Sequence, residues 1–321
     1  MMVIRKLKVA CLLTLFAGVL YGQEKAKAEI PIIDGEWWQV AGDPDLGEYT
    51  SPKQQPVDFG VWQAVDGTWQ LWSCIRHTEC GGMTRLFHRW EGKNLTDPDW
   101  KPMGIAMEAD TTLGETKGGL QAPHVIKVED TFYMFYGDWV NICLAKSKDG
   151  KNFTRVLNDK GTPALFTGPL YNTRDPMVLE YNGLFYYYSM GSVKDTEPHS
   201  AIFCHTSADL ENWSEPMMVS AGGNPVGKSR WFGGDAECPF IVNKDGQFYL
   251  FRNQMYGEDN LNTQYCSPNL LDFGVDDDKY LIGEMSVAAP EIIFHEGEYY
   301  MASLLPSLKG IRIAKLKWTK E

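Results

Sequence analysis

Three carboxylates stand at related places in this chain: Asp58 in PVDFG, Asp175 in TRDPM and Glu237 in AECPF. The first two are 117 residues apart and the last two 62 apart. Arg174 adjoins the second, and His124 in APHV and Glu291 in APEI hold similar places elsewhere. A further group closes aromatic runs: Arg76 in SCIRH, Asp138 and Trp139 in YGDW, and Arg252 in LFRNQ. Trp231 lies in the loop-like stretch GGNPVGKSRWFGGD. Grouped carboxylates suit acid–base chemistry at a glycosidic bond. One, protonated, gives its proton to the leaving oxygen, while another stays ionised to activate water or attack the sugar carbon. Crowding of like charges raises one pKa, and a nearby arginine holds another low. Trp139 and Trp231 offer rings that can stack on sugar faces. A lone aspartate at a strand start is ordinarily a turn or cap residue. His124 reads equally as a hydrogen-bonded structural histidine or a substrate ligand, and Glu291 as a pocket residue or a neighbour's partner.

The elements that would position these residues recur along the chain. DGTWQLWS, EDTFYMFYG, NGLFYYYS, DGQFYLFR and EGEYYMAS start at Asp66, Glu129, Asn182, Asp245 and Glu296, at intervals of 63, 53, 63 and 51 residues. Four of the five have glycine second, which permits the positive φ of a tight hairpin. A short apolar strand precedes each turn (VWQAV, HVIKV, MVLEY, FIVNK and EIIFH), and in four copies a proline opens it: Pro123, Pro176, Pro239 and Pro290. A second signature, SKDGKNF, SADLENW and SPNLLDF, suits a turn between outer strands. The expectation is an all-β fold, a five-bladed β-propeller with about four antiparallel strands per blade. In that arrangement the starts of the innermost strands gather around the axis on one face. The second strands return to the same face, so both groups of polar residues converge there. The tyrosines Tyr186 to Tyr188 are expected between blades.

Residues 1–22 read as a signal peptide, with Arg5, Lys6 and Lys8 before the apolar run VACLLTLFAGVLYG. That run is too short to span a membrane, and no other segment looks transmembrane. Secretion or a periplasmic location is expected. Residues 23–50 read as an N-terminal extension and 51–321 as one catalytic propeller. Cleavage takes the formal charge from −12 to −15, which leaves no electrostatic footprint for nucleic acid. Six cysteines remain, in no zinc-binding spacing; a Cys74–Cys80 disulfide and buried thiols are both open. Nothing in these residues requires a cofactor, and the expected partner is an oligo- or polysaccharide.

RDP in the third unit and ECP in the fourth resemble motifs of the five-bladed propeller glycoside hydrolases of families 43 and 32. That resemblance implies a nucleophile or general base at Asp58, a substrate-positioning and pKa-tuning role for Asp175, and a general acid at Glu237. It also implies calcium near the axis in some relatives. PVDFG departs from the WMNDPNG-like box of family 32, and the chain stops just after its fifth unit, so the resemblance leans toward family 43. Two other readings stand beside a glycosidase: a carbohydrate-binding propeller without turnover, and a lyase or phosphorylase on the same scaffold using His124 and the arginines.

Overall fold

The computed structural model describes residues 28–320 apart from 168–170, 194–198 and 226–234. The proposed signal peptide therefore lies outside the described residues. Five antiparallel sheets follow one another. Strands β2 (Gln55–Gln63), β3 (Trp69–Arg76), β4 (Leu86–Gly92) and β5 (Lys101–Met107) are preceded by β1 (Ile30–Gly42) and make the first blade. The second blade is β6 (Gln121–Val128), β7 (Thr131–Gly137) and β8 (Asn141–Ser147), with β9 (Thr154–Arg155) and β10 (Ala164–Thr167) both pairing with β8. The third is β11 (Tyr171–Tyr181), β12 (Leu184–Val193), β13 (His199–Ser207) and β14 (Met217–Ala221). The fourth is β15 (Glu237–Lys244), β16 (Gln247–Met255), β17 (Leu261–Ser267) and β18 (Leu281–Met285). The fifth is β19 (Glu291–His295), β20 (Glu298–Leu304) and β21 (Gly310–Thr319), completed by β1.

That last pairing gives part of the stretch read as an N-terminal extension, residues 30–42, a place in the fifth blade. β1 runs antiparallel to β21 from Ile30↔Thr319 to Gly42↔Gly310, so the start of the described chain supplies the outer strand of the last blade. The ring closes by backbone hydrogen bonds between distant parts of the chain. Among the described residues no helix is long and apolar enough to cross a membrane.

The hairpins lie where the repeat places them. Tyr181 pairs with Leu184, Lys244 with Gln247 and His295 with Glu298, each across a two-residue loop. Both loop residues have positive φ, for example 52° at Asn182 and 77° at Gly183, the geometry that matches strand twist. Between outer strands, Asp149 and Asp209 each accept two backbone N–H groups from the turn that follows. Alternation sends Tyr187 to one side of its strand, against Phe135 and Trp213. Tyr188 faces the other side, in the core shared with the fourth blade, and gives its hydroxyl proton to the Leu270 carbonyl. Both rings are fully buried. The thiols of Cys74 and Cys80 are not joined; Cys74 is buried and donates to the Leu120 carbonyl.

The inner strands share one irregularity. Asp58, Ala122, Asp175, Cys238 and Ala289 all have left-handed backbones, with φ of 35°, 44°, 59°, 43° and 47°. The register of β2, β6, β11 and β15 shifts at these residues, which marks a bulge. The recurring prolines follow immediately, so in blades two to four they sit inside the strand at the bulge and not at its first residue. An unpaired position tolerates a residue without an N–H.

Candidate active site

Aligning the blades by this bulge changes which residues correspond. Cys238, not Glu237, is the counterpart of Asp58 and Asp175. Glu237 is the counterpart of Arg174. The five left-handed residues together, with Phe59, the four prolines and Glu291, line a narrow well. Its volume is about 20 Å³, the room one water needs. A sugar ring is too large to enter it.

Charge in the well is dense and paired across blades. Asp58, Asp175 and Cys238 each present a ligand atom within 4.8 Å of the others. The Cys238 N–H donates to Asp175 Oδ2 at 3.1 Å, and its thiol lies 3.4 Å from Asp58 Oδ1 and 3.7 Å from Asp175 Oδ2. The Tyr256 hydroxyl is 3.0 Å from the same sulfur. Arg174 is ion-paired with Glu237, and its Nε lies 3.8 Å from Asp175 Oδ1. Asp175 and Glu237 are 4% and 7% exposed, so these charges interact through little water. Burial pushes the Asp175 carboxyl up to about 7, with Arg174 opposing the rise and Asp58 and Glu237 adding to it. Burial likewise holds the Cys238 thiol well above its ordinary range, reinforced by the carboxylates around it.

Sequence reasoning overlooked Cys238, Tyr256 and Arg85. The Arg85 guanidinium lies 3.9 Å from Asp58 Oδ2 and 5.1 Å from the centre of the Trp139 ring. Trp139 thus reaches the site through a cation, with a backbone φ of 82°. Cys238 was legible, because it immediately precedes the recurring proline as Asp175 does. Arg85 precedes β4, outside the repeated motif, and carried no such signal. It also lines a polar cavity of about 520 Å³ with Tyr49, Glu79, Glu108 and Lys117.

Other expected site residues are not brought to the well. Arg252 is 1% exposed and donates to Ser220 Oγ and the Gly222 carbonyl, both at 2.9 Å, beneath Tyr265. It ties blade four to the last strand of blade three. Asp138 folds its own turn, accepting the Val140 and Asn141 N–H groups. Arg76 donates to Gln55 Oε1 at 2.9 Å across the first hairpin. His124 lines the apolar channel below the well, a cavity of about 510 Å³ shared with Met177, Phe240 and Ile292. Its Nε2 lies 3.4 Å from the Val178 carbonyl, and burial pushes its pKa down to about 4, so it is neutral. Trp231 lies outside the described residues.

The model of the glycosyl hydrolases family 43 matches residues 116–308, which is more than half of the chain and includes Asp175 and Glu237. The chain belongs to glycosyl hydrolase family 43. Solved structures agree on the fold. A thermostable family-43 glycoside hydrolase is 19% identical, covers 84% of this chain and 92% of its own, and has a TM-score of 0.61. An endo-arabinase from Bacteroides thetaiotaomicron is 15% identical, with 86% and 99% covered and a TM-score of 0.63. A Xanthomonas citri enzyme of the family, crystallised with xylotriose, is 13% identical, with 86% and 90% covered and a TM-score of 0.59. No curated protein matches by sequence. The family-43 protein described here is a glycosidase on a five-bladed propeller.

The calcium that the resemblance allows does not suit the well. Calcium takes six to eight oxygen ligands. The ligand atoms that converge in the well are two carboxylate oxygens and a sulfur, with room for about one water.

Proposed function

We propose that this family-43 glycosidase is exported and hydrolyses arabinose- or xylose-containing oligo- or polysaccharides in the axial well. In this reading Asp58 is base or nucleophile, Asp175 the positioning and tuning carboxylate, and Glu237 the general acid. The observation that carries it is the meeting of Asp58 and Asp175 from two blades in one narrow well, with Arg174 beside Asp175 ion-paired to Glu237 of a third blade. The pentose class follows the endo-arabinase and the xylotriose complex among the similar structures. Export follows the basic and apolar N-terminal run.

The residues divide the chemistry by their environments. Asp58 faces the Arg85 guanidinium and the Cys238 thiol at the floor of the opening, where an attacking group or water-activating base is needed. Glu237 must be protonated to act as an acid, yet in the resting protein it is paired with Arg174. A sugar settling over the well draws Arg174 toward its own oxygens and toward Asp175. That removes the cation from Glu237 and frees its carboxyl to face the leaving oxygen. Asp175, adjoining Arg174 and titrating near neutrality, thereby tunes Glu237 through the shared guanidinium.

The test is product analysis on arabinan, arabinoxylan and their oligosaccharides with the wild type, Asp58→Asn and Glu237→Gln. The expected result is release of pentoses or pentose oligomers by the wild type alone. Turnover retained by either variant would overturn the assignment of roles. Ultraviolet-absorbing products would point to elimination. Sequencing the N-terminus of the exported protein tests cleavage after Gly22.

A further inference from the structure

The well contains a donor set that the hydrolytic reading does not use. Cys238 Sγ lies between Asp58 Oδ1 at 3.4 Å and Asp175 Oδ2 at 3.7 Å. A tetrahedral zinc with Zn–S of about 2.3 Å and Zn–O of about 2.0–2.2 Å sets its sulfur and oxygen ligands about 3.5 Å apart. The observed separations straddle that value, so little side-chain movement is needed to close the triangle on an ion.

Two features suit the set to a cation. The thiol has one proton and two carboxylate oxygens in reach, while the Tyr256 hydroxyl 3.0 Å away can donate to the sulfur. Giving the thiol proton to one carboxylate leaves the other facing the sulfur. Asp175, 4% exposed, also lines the well with an Oδ1 that receives no hydrogen bond from the described residues; Arg174 Nε is 3.8 Å away. The two arginines approach Asp58 Oδ2 and Asp175 Oδ1, which leaves Asp58 Oδ1 and Asp175 Oδ2 turned toward the sulfur. The well has room for one water-sized guest, and a single ion fits that space where a sugar ring does not.

We infer that Asp58, Asp175 and Cys238 form a site for a borderline-soft divalent cation of the zinc type, and that its occupation switches the glycosidase off. The thiolate selects zinc over calcium or magnesium, which prefer all-oxygen shells. Binding releases the Cys238 thiol proton to solvent, and sulfur and the two inner carboxylate oxygens become ligands. The fourth position is left to water. The inhibitory consequence rests on the roles proposed above, because the ion takes the Asp58 oxygen that would act on water or the sugar.

The probe is cobalt(II), added to the purified chain and followed by absorbance, with zinc as competitor. Expected are one cobalt per chain and a near-ultraviolet thiolate charge-transfer band, displaced by zinc. Cys238→Ala should abolish the band. It should weaken zinc binding by more than about 100-fold, since losing a direct ligand exceeds the 10- to 100-fold cost of losing an outer partner. In the wild type, zinc should also slow alkylation of the Cys238-containing peptide, a readout that does not depend on the variant folding. Absence of the band, an unchanged band in Cys238→Ala, or alkylation indifferent to zinc would overturn the site. These readouts need no turnover. A chain that holds the metal on Cys238 yet keeps full activity would overturn the role of Asp58 and leave the site standing.

Discussion

The five inner strands open with the same backbone and with different chemistry. Asp58, Asp175 and Cys238 arm three of these left-handed positions; Ala122 and Ala289 leave two bare, although all five have φ between 35° and 59°. A left-handed residue without glycine costs roughly 1–2 kcal/mol. Here the cost recurs where no reactive side chain is carried. The strain therefore belongs to the architecture, as the means by which each blade turns a residue toward the axis. The chemistry belongs to the side chains that three blades happen to place there.

The contrast is sharpest where the armed positions are disarmed. Asp58→Asn should lower kcat by about 10²–10⁴-fold, the usual contribution of a positioned acid or base. Loss of the same size from Ala122→Ser would break the distinction between armed and bare blades.

Asp175→Asn separates function from stability. The folded protein holds this carboxyl up near 7 against an ordinary value of 3.8, mainly through burial. As pH rises from about 4 to 7 the unfolded chain loses its proton first, so Asp175 subtracts stability across that window and the full penalty stands above it. The amide keeps an acceptor for the Cys238 N–H and carries no charge. At pH 8 the variant should be more stable by on the order of 3 kcal/mol, while turnover falls. Chemical denaturation at pH 4 and pH 8 checks this; equal midpoint shifts at both would contradict it.

His124, one residue after the Ala122–Pro123 pair in a bare blade, has the opposite dependence. Its folded pKa is pushed down to about 4 from 6.5, so its contribution is complete above pH 6.5 and is lost as pH falls toward 4. His88, buried and also pushed down to about 4, acts in the same direction. His124→Gln should flatten the acid side of the stability profile by up to about 3 kcal/mol, read from urea midpoints between pH 7 and pH 4. An unchanged slope would show that His124 is not held neutral.

The smallest effect concerns the two bare left-handed positions themselves. Ala122→Gly and Ala289→Gly relieve the left-handed backbone and should stabilise by up to about 1 kcal/mol, a rise of a few degrees at most in thermal melting. Destabilisation in both would mean that the alanine methyls pack too well to lose.

Much of this was legible in the sequence because propeller blades repeat. The turn pairs at Asn182–Gly183, Asp245–Gly246 and Glu296–Gly297 and the outward turns at Asp149 and Asp209 are local, and local geometry leaves a residue signature. Ring closure by β1 left none, since Ile30 and Thr319 are joined only by the completed circle. The carboxylates were found, but their alignment slipped by one residue: the proline marks Cys238 as the match to Asp175, and a cysteine attracts less notice than a glutamate. Arg252 misled for the reverse reason. An arginine ending a second strand can point along the blade or toward the axis, and only packing against Ser220 and Tyr265 decides.

The central claim is that Glu237 protonates the leaving oxygen while a carboxylate in the well acts on the sugar carbon or its water. The most direct measurement compares kcat/KM of the wild type and Glu237→Gln on aryl pentosides with good and poor leaving groups. A good leaving group needs no proton, so the account predicts a small loss there and a loss of about 10²–10⁴-fold where the leaving group is poor. An equal loss on both would contradict it.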